Sequence, residues 1–456
     1  MSEKPVMDGM RLTVLGAGTS GISLAFMAHR LGADVFVSDS AKISGPALAR
    51  LEEAGIPYEQ GGHTENVFSG DIIVVGSGFP PKAPIIAKLR ERGASPVGEL
   101  DFALPFISSR VIGVTGSNGK TTTTSLLAHL IRALGAKCRA AGNIGSAIAD
   151  FAGADLDYIV LELSSFQLYW TKSANLAGAI VTNLAPDHID WHGSYENYAA
   201  SKARILSFVR DEGFSVIQER DRETLGYCGG INYSLSWGGA HETQVISLST
   251  KEKNAMMGGV ELFRFCETNL IGVHNMENTA MAMAAVKLLG LDAESARASL
   301  ASYEAPPHRC RLVLTTNSGV RYIDDSKGTN IAASSAAMSS IEGPHIVILG
   351  GRGKNEDYAG LLEPLRKFAK CAVLIGEESD NIAAALESGG YMNFLKTGDM
   401  ESAVKIASGL ACPGDSVLLS PACTSWDAYK NYEERGEHFT SLVMKYAGDK
   451  NDAVRR

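Results

Sequence analysis

The sequence predicts an α/β protein of three domains built on mostly parallel sheets. Short apolar strands alternate with helical stretches along most of the chain, and three regions each open with a strand that runs into a glycine-containing turn. Alternation of this kind is the mark of doubly wound sheets. The length, 456 residues, exceeds what one compact core accommodates.

The first region begins with Arg11-Leu-Thr-Val-Leu15 and Gly16-Ala-Gly-Thr-Ser-Gly21, followed by the strand Asp34–Ser38 ending at Asp39 and by Asp71–Val75 with Gly76-Ser-Gly78. The second opens with Val111–Thr115 and Gly116-Ser-Asn-Gly-Lys-Thr121; a helix is expected over Thr122–Leu134, with later strands at Tyr158–Leu161 and Ala179–Thr182. From Phe214 to Phe265 the chain turns polar and glycine-rich and reads as β-ribbon and loops, before a helix that starts near His274. The third region follows Pro306-Pro307, with strands at Tyr322–Ile323, His345–Leu349, Ala372–Ile375 and Ser416–Leu419. The domains expected are 1–108, 109–305 and 306–456. Ligands of such sheets sit at the carboxyl ends of the strands.

Composition excludes several classes. With 45% hydrophobic and 20% charged residues the chain reads as soluble and globular. It has no apolar run long enough to span a membrane and no apolar core in its first residues that marks a secretory signal. The seven cysteines (138, 228, 266, 310, 371, 412 and 423) are scattered and never form a Cys-x-x-Cys pair, which fits reduced thiols in the cytoplasm. A formal charge of −9 argues against non-specific nucleic-acid binding.

Two glycine turns carry chemistry. Gly116-Ser117-Asn118-Gly119-Lys120-Thr121 follows an apolar strand and opens a helix, so its backbone can wrap an anion at the helix N-terminus. Lys120 then reaches the β- and γ-phosphates and the Thr121 hydroxyl can hold Mg²⁺. The spacing is shorter than that of the usual P-loop, and the bland reading is a glycine turn with an exposed lysine. Gly16-x-Gly18-x-x-Gly21, with Asp39 about 20 residues on, has the dinucleotide pattern. Beside an ATP loop it can instead hold the nucleotide part of a substrate, with Asp39 on uracil or ribose, or bind nothing. A nicotinamide-dependent dehydrogenase would explain this turn but leave Lys120, Glu162 and Lys202 idle. A non-catalytic nucleotide-binding module would keep the phosphate loop without turnover.

Several further segments occur in a fixed order: Thr115–Thr121, Glu162-Leu-Ser-Ser-Phe-Gln167, Thr182-Asn-Leu-Ala-Pro-Asp-His188, Gly272-Val-His-Asn275 with Asn278, Pro307-His-Arg309, Asp324-Asp-Ser-Lys-Gly-Thr-Asn330 and Ser420-Pro-Ala-Cys-Thr-Ser425. In these the chain resembles the Mur ligase family over nearly its whole length. The resemblance implies a Rossmann-like UDP-binding domain, a central P-loop ATPase domain with a parallel sheet, and a Rossmann-like amino-acid-binding C-terminal domain. It implies an ATP-dependent ligase of peptidoglycan synthesis that adds D-glutamate to UDP-N-acetylmuramoyl-L-alanine through an acyl phosphate. The alternative is another step of the same family with a different amino acid. ATP, two Mg²⁺ and a monomer without nucleic-acid or membrane partners are implied with it. Departures are local: Gly328 stands where the family often has alanine, Cys310 where an aromatic is common, and Tyr432 for a frequent phenylalanine.

Residue by residue, the resemblance makes Lys120, Glu162, His188 and Lys202 catalytic. Thr121, Glu162, His188 and a carbamoylated Lys202 hold metal. The loop residues Gly116 to Thr122, together with Asn275, Asn278, Arg309, Asp325 and Lys327, bind ATP. Gly18, Thr19, Ser20, Asp39, Ser77, Gly78, Asn143 and Ser164 bind the UDP-substrate, and Thr329, Lys354, Ser425 and Tyr432 bind D-glutamate. Read without it, Glu162 is a strand-end carboxylate near the loop, suited to metal or merely solvated. His188 is a loop histidine or general base, and Lys202 a surface lysine on a helix. Asn275 and Asn278 are helix caps, Asp325 and Lys327 a turn salt bridge, and the acceptor residues exposed turn donors.

Overall fold

The structure, a computed structural model, describes residues 7–226, 230–238, 244–341, 343–353 and 357–448. They form three sheets. The first holds β1 (Arg11–Leu15), β2 (Asp34–Asp39), β3 (Tyr58–Gln60), β4 (Ile72–Val75) and β5 (Val97–Gly98), all parallel in the order β3-β2-β1-β4-β5. The chain reverses direction across the sheet between β1 and β4, the crevice where doubly wound sheets bind ligands.

The second sheet holds β6 (Arg110–Thr115), β7 (Cys138–Gly142), β8 (Tyr158–Glu162), β9 (Leu176–Val181), β10 (Val209–Gln218), β11 (Ile231–Trp237), β12 (Val245–Ser249), β13 (Asn254–Met257) and β14 (Val260–Arg264). Its order is β14-β13-β12-β11-β10-β9-β6-β8-β7. β8 and β9 flank β6 and are buried along their whole length, as strands covered on both faces must be. The expected ribbon is shorter than the sequence implied. β10, β11 and β12 extend the parallel sheet, and only β13 and β14 turn back antiparallel. β11 is exposed or half-buried except at Ser234 and Leu235, and β12 alternates half-buried and buried positions, which explains why these strands read as polar.

The third sheet holds β15 (Arg311–Thr315), β16 (Arg321–Asp324), β17 (His345–Gly350), β18 (Ala369–Ile375), β19 (Phe394–Lys396) and β20 (Ser416–Leu419) in the order β15-β16-β20-β17-β18-β19, with β15 alone antiparallel. Two apolar clusters cover its faces, one around Ile323, Val347 and Leu418, the other around Ile346, Val417 and Phe439.

The chain divides into two compact units, Met1–Glu267 with Asn278–Leu300, and Thr268–Glu277 with Ala301–Arg456. The first two sheets share the former, and one apolar cluster runs through both, from Leu12 and Val14 to Leu161 and Val181. Among the described residues no helix is long and apolar enough to cross a membrane.

Candidate functional site

The loop after β6 is shaped by two glycines in left-handed or extended-positive backbone: Gly116 at φ 142° and Gly119 at φ 81°. A side chain on Gly116 would meet the Thr182 hydroxyl at 1.9 Å, and one on Gly119 would meet Asn278 Oδ1 at 2.3 Å. Asn183 fixes the loop, taking the Ser117 amide on its carbonyl and the Asn118 amide on Oδ1, both at 2.9 Å. Ser117 Oγ bonds Ala185 O and the Tyr198 hydroxyl at 2.8 Å each. The helix Lys120–Ala133 then starts at Gly119, which has no side chain to cap it, so its positive end lies at the loop. Lys120 Nζ curls over the loop to Gly116 O and Ser117 O, both at 2.8 Å. Thr121 and Thr122, in the first turn, are buried, and Asn278 also receives the Thr123 hydroxyl at 3.3 Å.

Lys202 is not a surface residue. Its helix, Tyr195–Ser207, presents it inward at 2% exposure, where Nζ donates to Gly116 O at 2.7 Å and stands 4.9 Å from the centre of the Tyr198 ring. Burial, and then the Lys120 charge, hold its pKa well below that of a free lysine. Glu162, at the end of β8, is 1% exposed rather than solvated. Asn143 Nδ2 donates to its Oε1 at 3.0 Å, and its buried Oε2 has no hydrogen-bond partner among the described residues. His188 occupies left-handed backbone at φ 51° and stacks edge-on against Phe166, centroids 4.8 Å apart. His192 is buried beneath the same ring. It bonds Ser165 Oγ at 2.9 Å, and burial with the nearby His188 and Lys202 charges pushes its pKa down to about 4. His192 is thus held by a hydrogen bond and by ring packing beneath the turn that carries His188.

In the first sheet the glycine turn works by close approach: a side chain on Gly21 would strike Gly16 O at 1.9 Å. A cavity of about 400 Å³ opens there, lined by Gly18, Thr19, Ser20, Asp39, Ser77 and Gly78 among others. Asp39 accepts the Ala17 amide at 2.7 Å and the Ala41 amide at 2.8 Å, one on each oxygen. Each oxygen keeps a lone pair for a ligand. Asn143 and Ser164 are not among the cavity's lining residues; Ser164 caps the helix Ser165–Trp170 in a capping box with Gln167.

In the second compact unit, Asp325 is buried against Ser420 Oγ at 2.6 Å and the Cys310 amide at 3.2 Å. Burial raises its pKa to about 7. The turn salt bridge, the bland alternative for Asp325 and Lys327, is not made between them: Lys327 Nζ sits 3.7 Å from the centre of the Tyr432 ring. A nucleotide candidate and an acceptor candidate are thus in contact. Ser425 is buried at 2% exposure and Thr329 is half-buried. Arg309 precedes Cys310 in the turn that packs on Asp325. Asn275 Nδ2 donates to Ile271 O at 2.7 Å. Lys354 lies outside the described residues.

Some contributors escaped the sequence reading. Asn183 stood inside a recognised segment without an assigned role. Arg435 is 1% exposed and donates to Ser326 O and Oγ, Cys423 O and Thr424 O, between 2.8 and 3.1 Å. It ties the Cys423–Thr424 segment to the Asp324–Ser326 turn, and as one arginine on an amphipathic helix it gave no sequence signal.

A phosphate loop on a parallel sheet, backed by a buried lysine and a buried carboxylate, defines a phosphate-handling α/β enzyme. The chain belongs to the Mur ligase family: residues 114–286 match the Mur ligase middle domain, 308–423 the Mur ligase glutamate ligase domain, and 11–85 the MurD N-terminal domain. It is similar to the UDP-N-acetylmuramoylalanine–D-glutamate ligases of Christiangramia forsetii, 36% identical over 95% of this chain and 99% of that protein, and Desulfitobacterium hafniense, 36% identical over 96% and 98%. Among solved structures it shares its fold with the UDP-N-acetylmuramate-alanine ligase MurC of Thermotoga maritima (TM-score 0.59, 17% identity, covering 96% of this chain and 99% of that one). It shares it also with the MurF ligase of Thermotoga maritima in complex with ADP (TM-score 0.59, 18% identity, 97% and 96%).

Proposed function

We propose that the chain joins D-glutamate to UDP-N-acetylmuramoyl-L-alanine at the expense of ATP, as a cytoplasmic monomer in peptidoglycan synthesis. Domains 1–108, 109–305 and 306–456 carry the nucleotide-sugar, ATP and amino-acid sites. A carboxylate does not condense with an amine at neutral pH. ATP first converts it to an acyl phosphate, and the amine then displaces phosphate. Phosphoryl transfer to a carboxylate gathers negative charge, so positioning and cations supply the stabilisation. The observation that carries the reading is the convergence of Lys120, Lys202 and the loop helix on the Gly116–Thr121 turn.

Each residue has a part in that chemistry. The loop amides and Lys120 cradle the β- and γ-phosphates, and Asn278, packed on Gly119, borders the nucleotide together with Asn275. Arg309, Asp325 and Lys327 contact the nucleotide from the C-terminal domain. Thr329, Lys354, Ser425 and Tyr432 receive the D-glutamate carboxylates, leaving its amine free to attack. The cavity of the first sheet holds UDP, with Asn143 and Ser164 toward the muramoyl end.

The fit to Mg²⁺ rests on Glu162, whose buried Oε2 lacks a partner among the described residues. A single buried carboxylate suits Mg²⁺, which is held by one or two carboxylates together with substrate phosphates. Glu162, Thr121, His188 and Lys202 as its carbamate are the residues that would hold two ions. When bound, they neutralise charge on the transferred phosphoryl group. The low pKa of Lys202 favours the neutral amine that carbamate formation requires.

The test is phosphate release with the muramoyl substrate, ATP and a panel of amino acids. D-Glutamate alone should sustain turnover. Turnover with another amino acid in its place would move the chain to a different step of the family, and none at all would refute a ligase.

A further inference from the structure

Glu99 is a carboxyl group with no assigned part in the chemistry, and it is only 3% exposed. It follows β5 and opens the helix Glu99–Ala103. Burying a carboxylate without a cation is costly. Its environment supplies amide and hydroxyl donors instead. Gln167 Nε2 donates to Glu99 Oε1, the Ser77 amide and the Ser20 hydroxyl face the same carboxyl, and Oε2 makes no hydrogen bond of its own among the described residues. Burial pushes its pKa up. Ser20 and Ser77 line the cavity of the first sheet.

Gln167 faces the other way as well. Its Oε1 accepts the Ser164 amide at 2.8 Å and the Ser164 hydroxyl at 3.0 Å, and its own amide returns to Ser164 Oγ at 3.2 Å. Ser164 stands two residues after Glu162. The short helix that Ser164 caps is fastened to the first domain at both ends. Beyond the Gln167 contact, Trp170 Nε1 donates to Phe79 O at 3.0 Å, on the cavity rim. Asp101, two residues beyond Glu99, accepts the Lys172 and Ser173 amides at 2.7 to 3.0 Å.

We propose that Glu99 is a positioning residue for the ligation, the post that sets the nucleotide-sugar cavity and the Ser164–Gln167 turn beside Glu162 in one register. It touches no reacting atom and acts through Gln167. Seating the UDP moiety against Ser20 and Ser77 then fixes the place of the far end of the same substrate, where the carboxylate is activated. This rests on the proposed function.

The test uses the full-length enzyme with UDP-N-acetylmuramoyl-L-alanine, ATP and D-glutamate, and calorimetry with UDP alone. Glu99→Ala should raise the KM for the muramoyl substrate at least tenfold and lower kcat, with the KM for ATP within about threefold of wild type. Glu99→Gln, which keeps the shape and a hydrogen bond to Gln167, should stay within about threefold in every parameter. Adding Gln167→Ala to Glu99→Ala should cost little more. If Glu99→Ala does not fold, Gln167→Met must show the same KM split. A folded Glu99→Ala enzyme with unchanged muramoyl KM overturns the inference, as does a Glu99→Gln enzyme as impaired as Glu99→Ala. Wild-type enzyme that neither binds UDP nor releases phosphate with D-glutamate would instead remove the functional reading beneath it.

Discussion

Lys120 and Lys202 donate to one acceptor, the Gly116 carbonyl, at 2.8 and 2.7 Å. Two cationic side chains brought to one oxygen, one of them fully buried, are electrostatically costly unless one gives up its proton. Lys202 is the one placed to do so, since it is the more deeply buried and its pKa is depressed. On the proposed reading Lys120 is the cation that serves the phosphates. Lys120→Ala should therefore lose at least about a hundredfold in turnover, the scale at which removing a preorganised stabilising group acts, while its far-ultraviolet dichroism stays that of wild type. Turnover near wild type in that folded variant would exclude Lys120 from phosphate stabilisation.

A neutral Lys202 can add CO₂, exchanging an amine for an anionic oxygen ligand. Enzyme loaded with nucleotide and Mg²⁺ and equilibrated with carbon-labelled bicarbonate should give a carbamate carbon resonance that Lys202→Arg abolishes. An electron-density map of the loaded complex should show three additional non-hydrogen atoms beyond Nζ. A bare amine in such a complex would count against the modification.

The loop glycines make a separable prediction. Gly119 has φ 81°, and a methyl group there would meet Asn278 Oδ1 at 2.3 Å. Left-handed backbone alone costs a non-glycine residue about 1–2 kcal/mol, and the clash displaces Asn278. Gly119→Ala should lower the stability of the first unit by at least this amount and raise the KM for ATP more than that for D-glutamate. An equal rise in both would mean that Asn278 does not border the nucleotide.

What the sequence disclosed, and what it hid, follows from how local each signal is. The Gly116–Thr121 and Gly16–Gly21 turns were legible because strand, glycine spacing and helix are contiguous. The burial of Lys202 was not, because nothing in Tyr198-Ala-Ala-Ser-Lys202 distinguishes an inward from an outward lysine. Its role entered only through resemblance. β11 and β12 were misread because half-exposed strands of a parallel sheet carry the polar alternation of a ribbon. β3 and β19, of three residues each, are too short to show a period. Glu99 and Arg435 owe their places to contacts with residues 68 and 109 positions away, which no local pattern encodes.

Asp325 yields a prediction in pH. Its ordinary pKa of 3.8 is raised to about 7 in the folded state by burial. Between these values the folded chain holds a proton that the unfolded chain has released. Stability from this group is thus fully present below about pH 4 and falls as pH rises through 7, with a slope approaching about 1.4 kcal/mol per unit. Asp325→Asn should remove that slope. Urea unfolding at a series of pH values, read by hydrogen exchange in β16 and β20, measures it. An unchanged slope in the variant would assign the titration elsewhere.

Acceptor selectivity is the most demanding consequence. D-Glutamate brings two carboxylates, and its amine must stay unprotonated and unbound to attack. A site for it therefore offers donors to the carboxylates and none to the amine. Ser425 is a buried hydroxyl whose own carbonyl is taken by the Ala428 and Tyr429 amides at 3.2 and 2.9 Å, so its backbone is fixed while the side chain stays available as a donor. Tyr432 has Lys327 Nζ 3.7 Å from the centre of its ring. Lys354 is the cation proposed for the same carboxylates. Removing one hydrogen bond to a carboxylate costs on the order of 1.5–3 kcal/mol. Ser425→Ala and Lys354→Ala should accordingly raise the KM for D-glutamate by about ten- to a hundredfold and leave that for ATP nearly unchanged. Steady-state kinetics with each substrate varied in turn decides it. Variants that kept the D-glutamate KM and lost ATP affinity instead would show that these residues serve the nucleotide, and that the acceptor binds elsewhere.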